Sequence, residues 1–205
     1  FQGDNLMHQS GMFLSGLETS STTASFALME LAKHEQCQKQ ARSDILRAIS
    51  EHGWSYEAMD DMKYLDQCIA ETLRLHPSVS TLDRISKDEY RVPGSDIILE
   101  SGTPIYISLY GLQKDPRFFE DPEMYNPERF RKGEQISDAY LPFGLGPRMC
   151  IGLKLGMLHA KMVLSLFLKD YEIYQSPKNK CYLDPRSTFT TAANGIILHL
   201  KKIQT

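Results

Sequence analysis

The sequence has few of the features that identify disulfide-rich or zinc-binding proteins. Its 205 residues include four cysteines, which are widely spaced, form no C-x-x-C pair and have no histidine at the spacing of a zinc site. Basic and acidic residues nearly balance, at 23 and 26, which excludes a nucleic-acid-binding protein driven by net positive charge. The chain does not open on a basic and then apolar leader. Its most apolar stretch, 151–168, contains lysines and a histidine and is too short to span a bilayer.

The chain is long enough for one large domain, and 41% of its residues are hydrophobic, which suffices for a sizeable core. Apolar spacing predicts helices over 6–33, 35–52, 63–75 and 150–170. We expect the first helix to be buried on most of its surface, because it has few charges. Short β-type runs predict strands at 90–92, 97–99 and 104–108, and a terminal hairpin from 171–174 and 196–200. The predicted class is mainly α with a small β portion.

The strongest candidate for a functional site is the segment Phe143-Gly144-Leu145-Gly146-Pro147-Arg148-Met149-Cys150-Ile151-Gly152. It lacks the third glycine of a dinucleotide-binding loop and the Gly-Lys-Ser/Thr of a phosphate loop. Glycines let a backbone approach a ligand closely. A cysteine at the start of a helix, beside an arginine, favours the thiolate that binds metals. The alternative is that Cys150 is a small buried hydrophobic residue.

This segment resembles the haem-binding loop of the cytochrome P-450 haem-thiolate monooxygenases, F-x-x-G-x-R-x-C-x-G, at every fixed position. The resemblance implies that Cys150 is the axial thiolate ligand of the haem iron. It also implies a cofactor-binding set around that ligand, which comprises Phe143, Gly144, Arg148 and Gly152.

Two further motifs resemble a structural pair of the same family. Residues 71–74 (ETLR) are similar to the E-x-x-R of its K helix, and residues 127–130 (PERF) to its P-E-R-F block. On spacing alone, Glu71 and Arg74 are an (i, i+3) surface ion pair worth about 0.3 kcal/mol. The resemblance implies instead that the pair is buried behind the haem. It also implies that Arg129 binds the carboxylate and docks the proline-rich irregular segment 115–147 onto the helix.

Residues 15–20 (SGLETS) resemble the oxygen-activating turn of the family's long I helix, A/G-G-x-D/E-T-T/S. The resemblance implies that Gly16 leaves room for oxygen and that Glu18 and Thr19 supply protons to it. We expect the hydroxyls to bond to i−4 carbonyls and to distort the helix locally. The alternative is a buried turn whose hydroxyls only satisfy the backbone. Ser15 departs from the usual Ala or Gly of the family but is small.

Arg84 matches the family's propionate-binding arginine, which together with Arg148 would neutralise the haem carboxylates. The alternative is a solvated surface arginine. Substrate contacts in the family come from three segments that are present here, and they favour a lipophilic substrate; for each residue the alternative is core packing. The candidate substrate contacts are Phe13, Leu17, Val79, Thr81, Leu82 and Phe189. His76 resembles the family's R-L-H-P ending and is predicted to be structural.

The resemblance implies a monooxygenase that inserts one oxygen atom of O2 into a lipophilic small molecule, by hydroxylation or epoxidation. The implied cofactor is heme b. The implied partners are an NADPH-cytochrome reductase, which supplies electrons from NADPH, and cytochrome b5. The amino-acid sequence of the cysteine segment looks most like that of insect-type microsomal members that clear xenobiotics. This resemblance implies that the full-length protein is anchored in the endoplasmic reticulum membrane, at its cytosolic face.

The chain begins at Phe1 and not at a methionine. We expect residues 1–205 to be the C-terminal portion of one longer catalytic domain, covering the helices that the family letters I to L and several short sheets. Two alternatives to the monooxygenase stay open. One is a haem-thiolate isomerase or dehydratase, which needs no reductase, and the other is a non-catalytic truncated fragment.

Overall fold

Helices make up most of the regular structure. The computed structural model describes residues 2–204, without the side chains of residues 2–9, 12 and 14, and is 46% helical. The helices are α1 (Gln2–Lys33), α2 (Glu35–His52), α3 (Tyr56–Asp61), α4 (Lys63–Leu75), α5 (Leu109–Leu112) and α6 (Leu153–Asp170). The strands are β1 (Thr81–Ile85), β2 (Tyr90–Arg91), β3 (Ile98–Leu99), β4 (Pro104–Ser108), β5 (Tyr171–Gln175) and β6 (Leu198–Lys202). The predicted class, mainly α with a small β portion, is confirmed.

Helix α4 lies in the core and has defined ends. Its first turn is capped from α2, because Asp44 Oδ2 accepts hydrogen bonds from the N–H groups of Tyr64 at 2.8 Å and Leu65 at 3.3 Å. It ends at Leu75, since Pro77 disfavours helical geometry in the residue before it. Most of α4 is buried, so the helix holds the two residues of its E-x-x-R motif, Glu71 and Arg74, inside the protein.

The hydrophobic core forms where α1, α2, α4 and α6 meet. Its fully buried large side chains include Leu31, Ile45, Leu65, Ile69, Leu164 and Leu168. Truncating a leucine in such a place costs about 2–5 kcal/mol. From α2, Arg42 donates hydrogen bonds to the carbonyls of Leu168 and Tyr171, both at 2.7 Å, and so holds the end of α6 and the start of β5.

The strands form three separate antiparallel pairs, β1 with β4, β2 with β3 and β5 with β6. The sequence predicts β4, the β2–β3 pair and the terminal pair, but it misses β1. In the β1–β4 register, Thr81 lies opposite Ser108 and Ile85 opposite Pro104. Alternate residues of β1 are exposed, which leaves Leu82 and Arg84 half-buried on the other face. The strand therefore sets the direction of the Arg84 side chain.

Two predicted helix starts are wrong. Helix α6 begins at Leu153, not at residue 150, because the N–H of Cys150 donates to the carbonyl of Phe143 at 2.8 Å and keeps the cysteine in a loop. Helix α1 begins at Gln2, not at residue 6. The sequence predicts no element at residues 56–61, which form the short helix α3, capped by the Ser55 hydroxyl.

The expectation that α1 is mostly buried is wrong for its first half. The described side chains between residues 10 and 18, including Phe13 and Leu17, are exposed, and buried residues begin at Ser20. The reason is that α2, α4, α6 and β5 together cover only the second half of α1. Within the part of the chain that the structure describes, no helix has the length and apolar character needed to cross a membrane.

Candidate functional site

The glycine-rich loop presents Cys150 at its exposed end. Gly144 and Gly146 have φ angles of +70° and +76°, which side-chain-bearing residues rarely adopt. The loop is closed by the hydrogen bond from the Cys150 N–H to the Phe143 carbonyl at 2.8 Å. Phe143 packs against the core cluster, whereas Cys150 is exposed. The loop is therefore anchored at one end and offers a free thiol at the other.

Arg84 lies directly against this loop. A Cβ built on Gly144 would come within 3.3 Å of Arg84 Nη2, so the absence of a side chain at Gly144 makes room for the guanidinium. Arg84 is oriented by a 2.7 Å hydrogen bond from Nη1 to the carbonyl of Asp83. On the other side of the thiol, a Cβ built on Gly152 would lie 4.0 Å from Cys150 Sγ. The structure thus brings together Arg84 and the cysteine loop, which are far apart in sequence.

The turn of α1 predicted to activate oxygen is a regular helix. Thr19 Oγ1 donates to the Ser15 carbonyl at 2.6 Å, and Ser20 Oγ donates to the Gly16 carbonyl at 2.6 Å. Helix α1 is continuous through residues 15–20, so the predicted local distortion is not present there. Glu18 is exposed and Thr19 is half-buried. The i−4 hydroxyl bonds of the alternative interpretation are therefore present, but on a helix face that is largely open.

Glu71 and Arg74 form a completely buried ion pair, with 0% of either side chain exposed. Arg74 donates from Nε to Glu71 Oε2 at 2.7 Å and from Nη2 to Glu71 Oε1 at 2.8 Å. Its remaining donors reach the carbonyls of Gln113 (2.9 Å), Pro122 (2.7 Å) and Met124 (3.1 Å). All five N–H donors of the guanidinium are therefore used. This arrangement is far from the exposed pair that spacing alone suggests.

Arg129 contacts the Glu71 carboxylate, as the resemblance implies, but through one nitrogen only. Its Nε lies 3.5 Å from Glu71 Oε1, as an ion pair without a hydrogen bond, while Nη2 donates to the Asp121 carbonyl at 3.0 Å. Docking of the irregular segment onto α4 depends instead on Arg74, and on Gln113, which donates to the Leu73 and Arg74 carbonyls at 3.0 and 3.1 Å. Gln113 is fully buried, and no feature of the sequence marks it.

The three predicted substrate segments occupy different environments. Phe13, Leu17 and Thr81 are exposed, whereas Val79, Leu82 and Phe189 are half-buried. Val79 and Phe189 are joined as an antiparallel β-bridge, so the segment after α4 and the turn of the C-terminal tail are neighbours. Leu82 lies close to the cysteine loop, with its Cδ1 3.9 Å from the Cβ position of Gly144.

His76, predicted to be structural, closes a charge cluster at the end of α4. Its Nε2 lies 2.9 Å from Glu30 Oε1, and its ring stacks on Phe26 with 4.6 Å between centroids. Burial raises the pKa of Glu30, but the hydrogen bonds from His76 and Lys33 outweigh that effect and lower the pKa from 4.5 to about 2. Glu30 is therefore an ionised, nearly buried carboxylate that ties α1 to the end of α4.

The residues around Cys150 fit a haem. A cysteine thiolate is a known ligand of haem iron, and Cys150 is exposed at the end of its loop. A Cβ built on Gly146 of that loop would meet nothing within 4 Å. Arg84, and Arg148 in the loop itself, are the cations that would hold carboxylates. Large apolar side chains are also left exposed on the loop, on the start of α6 and on α1, as an apolar ligand requires. These exposed side chains are Leu145, Ile151 (99% exposed), Leu155, Phe13 and Leu17.

Comparison with known proteins identifies the family of the chain, because the sequence model of the cytochrome P450 family matches residues 1–200. The chain belongs to the cytochrome P450 family. Among curated relatives, it is 42% identical to cytochrome P450 6l1 of Blattella germanica over an alignment of 166 positions that covers 78% of this chain and 33% of the relative. It is 40% identical to probable cytochrome P450 6d5 of Drosophila melanogaster over an alignment of 176 positions that covers 84% of this chain and 34% of the relative.

A third relative, cytochrome P450 6k1 of Blattella germanica, is 38% identical over an alignment of 210 positions that covers 98% of this chain and 40% of that protein. These insect relatives confirm the resemblance to insect-type members of the cytochrome P450 family. The chain spans 33% to 40% of the length of the three.

Proposed function

We propose that the protein carrying this chain is a haem-thiolate monooxygenase with Cys150 as the iron ligand. The observation that carries the proposal is the exposed cysteine at the end of a loop whose glycine, Gly144, makes room for Arg84. A structural cysteine is usually buried and needs no cation near its loop. A cysteine that holds a haem would need an accessible sulfur, as Cys150 has, and cations such as Arg84 and Arg148 for the carboxylates of the cofactor.

Heme b, when bound, supplies the chemistry that activates O2 and transfers one oxygen atom. Cys150 binds the iron through Sγ, and Arg84 and Arg148 bind the carboxylates. Phe143 would shield the Cys150 sulfur from solvent. Gly144 and Gly152, which have no side chains, would let the backbone of the loop lie close to the haem. Glu71 and Arg74 hold the irregular segment, and with it the loop, in place.

Glu18 and Thr19 are the proton-handling residues of the proposal. The Glu18 carboxylate is exposed to solvent, and its proposed role is to deliver protons towards Thr19. Thr19 Oγ1 donates to the Ser15 carbonyl at 2.6 Å, which orients the hydroxyl oxygen as an acceptor towards its open side. Gly16, which no side chain crowds within 4 Å, leaves room beside this turn.

The proposed substrate is a lipophilic small molecule. Phe13 and Leu17 on α1, with Val79, Leu82 and Phe189 on the adjoining segments, offer apolar contacts, and Thr81 offers a hydroxyl. The reaction is hydroxylation or epoxidation. Electrons come from NADPH through a cytochrome reductase, with cytochrome b5 as an additional donor, at the cytosolic face of the endoplasmic reticulum membrane. Clearance of xenobiotics is the proposed role, and residues 1–205 are proposed to be the C-terminal portion of a single catalytic domain.

The ligand assignment is tested by the absorption spectrum of the reduced, carbon-monoxide-bound protein at full length. We expect the red-shifted band of a thiolate-ligated haem in the wild type and its loss in Cys150→Ser. Cys181→Ser is the matched control, because Cys181 is half-buried elsewhere in the structure, and this variant should keep the band. A Cys150→Ser variant with an unchanged band would refute the assignment.

The reaction class is tested by Thr19→Ala. A monooxygenase that depends on this hydroxyl loses product formed per NADPH consumed, because proton supply to oxygen is impaired. Full turnover of Thr19→Ala without a reductase would instead indicate an isomerase or dehydratase.

A further inference from the structure

Ser78, three residues after the end of α4, contacts both α1 and the tail turn. Its carbonyl accepts a hydrogen bond from the Thr190 N–H at 2.9 Å. Its hydroxyl lies 3.1 Å from Thr23 Oγ1 and 3.3 Å from the carbonyl of Thr19. Ser78, Thr23 and Thr190 are all buried, so these bonds form away from water. One residue thus joins two segments that the sequence separates by well over a hundred positions.

The hydrogens of this group can be assigned by counting. Each hydroxyl has one hydrogen, and that of Thr23 is used in a 2.8 Å bond to the Thr19 carbonyl. Ser78 is therefore the donor in its contact with Thr23 and with Thr19. Its single hydrogen is shared between the two oxygens. The Thr19 carbonyl thus receives side-chain donors from within α1 and from outside it.

The main chain around Ser78 is equally constrained on the side of the tail. The Thr190 hydroxyl donates to the carbonyl of Pro77, and Val79 pairs with Phe189 as a β-bridge. Val79 and Phe189 are proposed substrate contacts, and each is the sequence neighbour of a residue in this hydrogen-bonded junction. Displacement of either residue therefore moves the main chain that carries the Ser78 hydroxyl.

We propose that Ser78 is a positioning residue that links the Val79–Phe189 bridge to the Thr19 turn of α1. A lipophilic molecule that pushes against Val79 or Phe189 shifts Ser78, and the Ser78 hydroxyl transmits this shift to the Thr19 carbonyl. The consequence is that proton supply at Thr19 responds to substrate. This inference rests on the proposed function, and it assigns Ser78 an action through Thr19 and no direct contact with substrate.

The first test measures the link itself by hydrogen–deuterium exchange of the full-length, haem-loaded protein. Ser78→Ala should accelerate exchange of the α1 amides around residues 19–23 about fivefold, which is what the loss of one neutral hydrogen bond gives. Exchange of the Thr190 amide should stay unchanged, because its bond is to the Ser78 main chain. Ser165→Ala is the matched control, since Ser165 is also buried but its hydroxyl faces Met62 Sδ at 3.3 Å. Unchanged α1 exchange, or equal acceleration in Ser165→Ala, would overturn the inference.

The second test measures the product formed per NADPH consumed, with reductase in excess and 7-ethoxycoumarin as a lipophilic probe. Ser78→Ala should lower this ratio at least threefold, Ser165→Ala should not, and Ser78→Thr should restore it by returning the hydroxyl. Thr23→Val removes the partner hydroxyl, and its effect should not add to that of Ser78→Ala, because the two residues act through one carbonyl. An active wild type with an unchanged ratio in Ser78→Ala overturns only this inference. A wild type that forms no product from any probe, with or without the exchange effect, overturns the proposed function and the inference together.

Discussion

Replacing Arg74 by lysine should destabilise the protein by about 3 kcal/mol although the positive charge is kept. The guanidinium uses five N–H donors, two on Glu71 and three on the carbonyls of Gln113, Pro122 and Met124. A lysine ammonium has three donors, so at least two buried acceptors lose their partner. Each unpaired buried acceptor costs about 1–3 kcal/mol, which places the sum at several kcal/mol before relaxation.

The measurement is urea unfolding of the full-length protein, followed by circular dichroism, for the wild type, Arg74→Lys and Arg117→Lys. Arg117 is the matched control, because its Nε and Nη2 also donate hydrogen bonds to a carboxylate, that of Asp115. This pair lies on the exposed surface. Exposed pairs contribute little, so the urea midpoint of Arg117→Lys should equal that of the wild type. Equal midpoints for Arg74→Lys and Arg117→Lys would refute the reasoning, since burial would then make no difference.

A double variant separates the charge from the hydrogen bonds. Arg74→Met leaves the Glu71 carboxylate buried with only the weaker Arg129 pair and one backbone N–H, that of Asn126 at 2.8 Å. We expect it to be less stable than Arg74→Lys, by an amount within the roughly 3–5 kcal/mol that removal of one partner from a buried pair costs. Adding Glu71→Gln should recover part of the loss. If the double variant were as unstable as the sum of the two single variants, the pair would not be coupled.

Three further predictions concern the surroundings of the site. Because the folded pKa of Glu30 is about 2, below its ordinary value of 4.5, its contribution of about 3 kcal/mol is complete above pH 4.5 and is lost as the pH falls towards 2. Unfolding measured from pH 6 to pH 2 should therefore show a smaller loss of stability in Glu30→Gln, and an identical pH profile would contradict the pairing. Gly144→Ala should weaken haem binding, because the added methyl group would displace Arg84. Gly133→Ala should not weaken it, since Gly133 also has a positive φ but a Cβ there would meet nothing within 4 Å. Equal haem affinities of the two variants would show that Arg84 does not need the space at Gly144. The 205-residue chain expressed alone should bind haem weakly or not at all in a titration, and tight stoichiometric binding would contradict this expectation.

Much of the local structure is encoded in short stretches of the sequence. Helical spacing predicts α2 and α4 with the bounds that the structure has, since apolar periodicity and a following proline or glycine act over a few residues. The cysteine loop is also a local feature, because two glycines at positive φ and one backbone bond from residue 150 to residue 143 shape it. Because these motifs are local, the resemblance to the cytochrome P450 family is visible in the sequence alone, and the family comparison confirms it.

The tertiary structure decides which partner each polar group meets. Spacing places Glu71 and Arg74 one turn apart, but only the packing of the irregular segment buries them and turns a weak surface pair into a pair with five bonded donors. The same applies to strand β1, which forms because β4 pairs with it, and to the exposure of the first half of α1, which follows from where its neighbours pack.

The links through Ser78 and Gln113 show the physical reason for this division. Their hydrogen bonds join residues that are 28 to 112 positions apart, and a hydroxyl or an amide has no sequence pattern that identifies a distant acceptor. By itself the sequence determined the cysteine loop, the E-x-x-R motif and the bounds of helices α2 and α4, because those depend on near neighbours. Only the tertiary structure decided that Arg84 lies against Gly144 and that Ser78 reaches Thr19, because burial and long-range contact choose among the partners that a local pattern leaves open.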